Sequence, residues 1–131
     1  MSERAGQLAG PQDLIDVDKL LAAFADIQPD VSNPEQKVVF GTSGHRGAAL
    51  AGSFNEDHIA AITHAIVEYR ASVGIRGPIY VGKDTHALSG PAEETALEVL
   101  AGNGVVALVD ADGRYVPTPA VSVAIINHNH G

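Results

Sequence analysis

The sequence predicts an α/β protein in which helices alternate with short apolar strands. Residues 79–81 and 105–109 are apolar segments of strand length, and a helical pattern separates them, which is typical of two parallel strands. Polar loops that contain glycine follow residues 38–40 and 79–81, where two of the predicted strands end. Because ligands of such sheets gather at the carboxyl ends of strands, both loops are candidates for a functional site.

Helical periodicity marks the first two predicted helices. The first covers residues 13–27, with Asp13 as its candidate cap. The second opens at Asn55 and closes at Gly74. Its apolar residues recur at helical spacing and are expected to form one buried face: Ile59, Ile62, Ile66 and Tyr69.

Two further helices are expected in the second half of the chain. One begins near Ser89, carries Pro91 at a first helical position, and is stopped by Gly-Asn-Gly at residues 102–104. The other follows the rigid segment Val-Pro-Thr-Pro at residues 116–119. No strand pattern follows this last helix, and two confident core strands make a marginal sheet. We therefore expect the chain to be the front part of a longer one.

Composition argues against several classes of protein. The 131 residues carry sixteen acidic side chains against eight basic ones, a formal net charge of −8, which argues against a general nucleic-acid binder. No apolar run reaches the roughly 18 residues of a membrane span, and the first residues lack the apolar stretch of a secretory signal. Cysteine is absent, which excludes disulfides and thiolate catalysis and fits the cytoplasm, the expected location.

The segment Phe-Gly-Thr-Ser-Gly-His-Arg-Gly at residues 40–47 is the first candidate for a binding site. Glycine has no Cβ, so backbone N–H groups of such a loop can approach an anion closely. Hydroxyl groups add donors, and a guanidinium matches a phosphate. The candidate phosphate-binding residues are Thr42, Ser43, Gly44, His45 and Arg46. From the residues alone, a glycine-rich turn with a surface arginine explains the segment about equally well.

Lys83, Asp84 and His86 form a second candidate cluster, directly after the strand at residues 79–81. They are expected to face the same cleft as the first loop. The alternative is structural: Asp84 caps nearby N–H groups while Lys83 is solvated. No metal site is expected in this chain, because its histidine pairs lack suitable spacing or carboxylate neighbours.

Three ordered motifs resemble the landmarks of one family. They are the segment at residues 40–47, Tyr-Val-Gly-Lys-Asp-Thr-His-Ala-Leu-Ser at residues 80–89, and Val-Pro-Thr-Pro-Ala-Val at residues 116–121. Together they resemble the first domain of the α-D-phosphohexomutases, and within that family the bacterial phosphoglucomutases. The resemblance implies a three-layer α/β/α domain with a mixed, mainly parallel sheet, incomplete at its C-terminal end. This first domain is expected over residues 36–131, after an N-terminal arm and helix over residues 1–35.

The resemblance also implies an activity. These enzymes interconvert glucose 1-phosphate and glucose 6-phosphate through a phosphoserine and glucose 1,6-bisphosphate, with Mg²⁺ as cofactor. The phosphoserine lies in a Thr-x-Ser-His-Asn-Pro loop, which the 131 residues do not contain, and the Mg²⁺ ligands are implied to lie outside them too. The expected partners are therefore a phosphorylated hexose and the remaining domains of the same protein. Without those domains the chain is expected to be inactive.

The resemblance assigns Arg46 to contacts with the bound bisphosphate, and its loop neighbours to the same site with less detail. It implies that the second cluster is a loop near the cleft, although the family often has arginine where His86 stands. Two other functions stay open from the sequence. One is a non-catalytic module that binds a phosphorylated sugar, and the other is an interaction fragment without a ligand.

Overall fold

The computed structural model describes residues 5–130 and confirms the α/β class. Its helices are α1 (Val17–Asp26), α2 (Glu56–Ser72), α3 (Ser89–Gly102) and α4 (Thr118–His130). Its strands are β1 (Phe40–Gly41), β2 (Gly44–His45), β3 (Ile79–Tyr80) and β4 (Ala107–Leu108). Short 3₁₀ turns cover Pro11–Asp13, Pro34–Gln36 and Ala49–Ala51.

Helix α1 starts later than predicted. Asp13 closes a 3₁₀ turn that Pro11 opens, and the cap of the helix is Asp16. The Lys19 backbone N–H donates to Asp16 Oδ1 at 3.0 Å, which satisfies one of the free donors of the first turn. The prediction of a helix from residue 13 was therefore wrong at its start. The buried face of α1 consists of Leu20, Ala23 and Phe24.

Helix α2 begins as predicted, but its burial does not follow the apolar pattern. The Asn55 backbone N–H donates to His58 Nδ1 at 3.1 Å, which closes the first turn. Ile66 and Tyr69 are exposed, so the predicted face was wrong at its C-terminal half, while His58 and Thr63 are buried. Helix α2 packs against α3, while His58 is buried against His45 and the Gln36 carbonyl, so burial on α2 does not follow apolar spacing alone.

The two strands of the main pair are parallel, as predicted, with Ile79 opposite Ala107 and Tyr80 opposite Leu108. The strand predicted at residues 38–40 was wrong in position. The strand is β1, and it turns back on β2 as an antiparallel hairpin in a separate two-stranded sheet. The first candidate loop therefore runs from the tip of a hairpin through β2 to Arg46, whereas the second follows β3 of the parallel pair.

The core lies where α1 meets the segments that frame the candidate loops. Its buried members are Leu20, Ala23, Phe24, Ala49 and Leu88. Fully burying one leucine or phenylalanine side chain stabilises a fold by about 1.5–3 kcal/mol, so this cluster fixes both segments to the same helix. Elsewhere α3 contacts β4 and α4 contacts β3.

Candidate phosphate-binding site

A cavity of about 590 Å³ lies between the two candidate loops. The hairpin side contributes His45 and Arg46, and the loop after β3 contributes Asp84 and His86. Apolar side chains line much of the rest: Ile15, Leu20, Leu50, Phe54, Leu88 and Ala92. The fold thus brings four residues of the two sequence-predicted clusters to one cavity.

Arg46 brings a positive charge to this cavity. Its Nη2 donates to the Ser43 hydroxyl at 2.6 Å. Among residues 5–130 the guanidinium has no carboxylate partner, unlike Arg114, which pairs with Asp110 and Asp112. Other N–H groups of Arg46 are therefore free to bind an anion in the forked geometry that suits a phosphate.

The tip of the hairpin lies beside the cavity rather than in its lining. Gly41 pairs with Gly44, so Thr42 and Ser43 form the turn between them. Gly44 has a φ of 118°, a conformation that side chains rarely allow. Ser43 is connected to the cavity through the hydrogen bond that its hydroxyl accepts from Arg46.

The backbone holds both ring nitrogens of His45. The Val39 N–H donates to Nδ1 at 3.2 Å, and Nε2 lies 2.8 Å from the Ser53 carbonyl oxygen. Nδ1 also lies 3.3 Å from the Val39 carbonyl oxygen, to which a proton on Nδ1 would be donated. The Ser53 carbonyl oxygen can only accept, so Nε2 carries a proton in this arrangement. With both nitrogens engaged, His45 shapes the loop rather than offering a free donor to a ligand.

The loop after β3 is organised around Asp84. Its Oδ1 accepts hydrogen bonds from the His86 backbone N–H at 2.9 Å and from the Ser89 hydroxyl. The hydrogen bond from Ser89 lowers the pKa of Asp84 below its usual range. His86 Nδ1 accepts from the Leu88 N–H at 3.1 Å, so a neutral ring carries its proton on Nε2, a donor for the cavity.

Lys83 does not line the cavity of Arg46. Its Nζ forms an ion pair with Glu93 of α3, and this carboxylate raises the pKa of Lys83. The Lys83 carbonyl oxygen also accepts from the Val116 N–H at 2.8 Å. Lys83 therefore ties the second loop to α3 and to the segment before α4, and it lines a separate cavity of about 360 Å³.

The formal charges of the first cavity nearly cancel. Arg46 contributes one positive charge and Asp84 one negative charge. The whole chain carries a formal charge of −8, so the overall field opposes an anion. Binding of a phosphate here therefore depends on the orientation of individual N–H groups rather than on the net charge.

Sequence reasoning missed two serines. Ser53 accepts from His45 through its carbonyl, and its hydroxyl accepts from the Ala48 N–H at 3.0 Å. Ser89 orients the Asp84 carboxylate. No local pattern marks Ser53, an isolated serine in a loop, whereas Ser89 is recognisable as the hydroxyl at the start of the helix after the second cluster.

Residues 5–130 hold no group of three or more His, Cys, Asp or Glu side chains that could bind a metal ion. The Mg²⁺ that the family resemblance implies therefore does not fit this part of the chain. Within the same residues, every helix is too short or too polar to cross a membrane.

Two comparisons with known proteins match this chain. The family model described as "Phosphoglucomutase/phosphomannomutase, alpha/beta/alpha domain I" matches residues 37–131. A curated "Phosphoglucomutase" from Komagataeibacter xylinus is 50% identical over 129 residues, which cover 98% of this chain and 23% of that protein. The chain thus spans about a quarter of the length of this relative.

Proposed function

This chain belongs to the phosphoglucomutase/phosphomannomutase family, and on that premise we propose that it supplies the phosphate-binding cleft of a phosphoglucomutase. The complete protein interconverts glucose 1-phosphate and glucose 6-phosphate through a phosphoserine and glucose 1,6-bisphosphate. The observation that carries the proposal is Arg46, which lines the cavity between the loops and whose guanidinium has no carboxylate partner in the described residues.

The residues of this chain contribute charge and position. Phosphoryl transfer needs neutralisation of the phosphoryl oxygens, and a fixed guanidinium supplies it without reorganisation. His86 Nε2–H adds a neutral donor, while the carboxylate of Asp84 is occupied by Ser89 and by its own loop. The apolar wall of the cavity lowers the local dielectric constant and strengthens these interactions.

Other parts of the reaction lie outside this chain in our proposal. The nucleophilic serine belongs to a later segment, because residues 1–131 do not contain the Thr-x-Ser-His-Asn-Pro loop. The Mg²⁺ ligands are assigned there too, because the described residues hold no group of three possible ligands. We also propose that those later segments complete the β3–β4 pair into a mixed, mainly parallel sheet between two helical layers. Residues 1–131 alone should then show no mutase activity.

The test is substitution of Arg46 in the complete protein. One lost charge-assisted hydrogen bond costs about 1.5–3 kcal/mol, so Arg46→Ala should lower kcat/KM by roughly ten- to hundred-fold. Arg46→Lys should recover only part of this loss, because lysine restores the charge but not the fork. Mutase activity with glucose 1-phosphate is the measurement, and circular dichroism checks that each variant is folded.

Arg76→Ala is the matched control. Arg76 is exposed and lines a different cavity, of about 290 Å³, with residues from the end of α2 and from the segments that follow α2 and α3. This substitution should leave kcat/KM unchanged. Equal kinetics of folded Arg46→Ala and Arg76→Ala would refute the phosphate role of the first loop. Mg²⁺-dependent turnover by purified residues 1–131 would refute the assignment of the nucleophile and metal ligands to later segments.

A further inference from the structure

The residues on both sides of Arg46 meet one residue, Ser53. His45 Nε2 donates to the Ser53 carbonyl oxygen at 2.8 Å, and the Ala48 N–H donates to the Ser53 hydroxyl at 3.0 Å. Between them, a Cβ added to Gly47 would lie 2.0 Å from the same carbonyl oxygen. The backbone on both sides of Arg46 is therefore in close contact with Ser53.

His45 also joins this contact to the hairpin. Its Nδ1 accepts from the Val39 N–H, directly before β1, while its Nε2 reaches Ser53 at the approach to α2. A single imidazole thus bridges the segment before β1 and the segment before α2. The bridge needs a proton on Nε2, because the Ser53 carbonyl oxygen can only accept a hydrogen bond.

Two aromatic neighbours fix the plane of the His45 ring. Phe54 stacks with it at a centroid distance of 5.9 Å and an interplanar angle of 9°, and His58 does so at 5.2 Å and 14°. His58 is itself held, since its Nδ1 accepts from the Asn55 N–H and its Nε2 lies 2.7 Å from the Gln36 carbonyl oxygen. The ring of His45 is therefore constrained both by hydrogen bonds and by its neighbours.

We propose that His45 is a positioning residue that acts through Arg46. In its Nε2–H form it holds the loop on Ser53, so that the guanidinium is aimed into the cavity before a phosphate arrives. Arginine has a long side chain with many rotamers, and fixing the adjacent backbone reduces the orientations that binding must select. This inference rests on the proposed function, because it assigns His45 to the same site.

The kinetic test is a double-mutant cycle in the complete protein. His45→Ala and Arg46→Ala are made singly and together, and kcat/KM with glucose 1-phosphate is measured. We expect His45→Ala to cost about ten-fold, within the range of one lost contact of Arg46. The double variant should lose almost nothing beyond Arg46→Ala alone, because the residue that His45 positions is already gone.

Two further variants separate positioning from stability. His45→Gln can place an amide donor near the Ser53 carbonyl and should recover part of the loss. His64→Ala is the matched control, since His64 is exposed on α2 and its contact is with Glu68 one turn later. It should not change kcat/KM. The proposal is wrong if the losses in kcat/KM of the two single variants multiply in the double variant. It is also wrong if folded His45→Ala is as active as the unsubstituted protein.

A nitrogen-15 spectrum of histidine-labelled protein tests the tautomer without any substitution. We expect the His45 signals of a ring that carries a proton on Nε2. A ring whose only proton is on Nδ1 would overturn the proposal even if His45→Ala does not fold. If Arg46→Ala keeps full activity, the phosphate role fails and the positioning role fails with it. If the His45 variants keep full activity while Arg46→Ala loses it, only the positioning role of His45 is refuted.

Discussion

At the scale of single residues, Gly47 shows how tightly the loop of Arg46 is packed. An added Cβ would lie 2.0 Å from the Ser53 carbonyl oxygen and 2.9 Å from its hydroxyl. Backbone atoms cannot yield as the end of a flexible side chain can, so even alanine must displace one of the two segments. The small size of residue 47 is therefore part of the site, because displacement moves Arg46.

Gly47→Ala should destabilise the fold and reduce activity together. Overpacking of this kind costs about 1–3 kcal/mol of unfolding free energy. Gly77→Ala is the control, because a Cβ there meets no atom within 4 Å and the backbone of Gly77 does not need a positive φ. Chemical denaturation and mutase assays of the two variants measure the difference. Equal stability of the two would contradict the close approach to Ser53.

The roles of individual residues were only partly predictable from the sequence. Arg46 and Asp84 were identified because each is a charged residue in a glycine-containing loop at the end of a predicted strand, although a surface arginine and a structural aspartate explained them about as well. The engagement of both His45 nitrogens could not be foreseen, since it depends on Val39 and Ser53 approaching from opposite sides. Such bridges between distant segments leave no spacing rule in the sequence.

At the scale of elements, patterns with regular periodicity were predicted better than those formed by turns. The parallel pairing of β3 with β4 follows from two apolar segments and the helix between them. The hairpin was missed because Gly44 and His45 have no strand propensity, and their pairing with Phe40 and Gly41 comes from the turn that joins them. The start of α1 was missed because Pro11 and Asp13 belong to their own 3₁₀ turn.

Asp16→Ala tests the observed start of α1. Loss of this cap should lower the free energy of unfolding by about 0.5–2 kcal/mol, because the Lys19 N–H loses its acceptor. Asp26→Ala is the control: it removes the same charge at the other end of α1, where a carboxylate opposes the helix dipole. Its effect should be neutral or slightly stabilising. Equal losses would point to general charge effects instead of capping.

The turn after β4 should respond to acid. Arg114, which donates two side-chain hydrogen bonds to the Asp110 carboxylate, lowers the pKa of Asp110 from 3.8 to about 2. The folded-state pKa lies below the unfolded one, so Asp110 stabilises the fold above pH 3.8, and this contribution disappears as the pH falls towards 2. Asp110→Asn should therefore reduce the loss of stability on acidification.

Denaturation at neutral and at acid pH measures this effect, and carboxyl-carbon NMR titration gives the pKa directly. Asp112→Asn is the control, since Asp112 pairs with Arg114 at 3.2 Å but accepts no backbone hydrogen bond in this turn. It should change the acid response less than Asp110→Asn does. An Asp110 carboxyl that titrates at or above 3.8 would contradict the structure of the turn.

At the scale of the whole molecule, large apolar side chains are exposed along much of the chain, and several of them lie near β4 and on α4. Val106 is 64% exposed, Tyr115 61% and Ile126 54%. Periodicity correctly marks this region as strand and helix, but it cannot say which residues a later segment covers. For the same reason Ile66 and Tyr69 of α2 are exposed, although burial was predicted for them. An apolar helix face is buried only where another element packs against it.

Residues 1–131 produced alone should therefore behave as an incomplete domain. Exposed apolar side chains and the open edges of the β3–β4 pair favour binding of apolar dyes and self-association. The complete protein should show neither, because we propose that its later segments cover this surface. Dye fluorescence and light scattering compare the two proteins at equal molar concentration.

The variant Ile126→Glu, made in residues 1–131, identifies the surface responsible. A charge at an exposed position on α4 should lower dye binding and self-association, whereas Ala111→Glu, in the turn after β4, should not. One result would contradict this expectation. A monomer that binds no dye and melts cooperatively at about 45–65 °C would mean that these residues fold without later segments packed against their apolar surface. The apolar side chains on α4 would then need another explanation, because later segments of the chain would not be required to stabilise them.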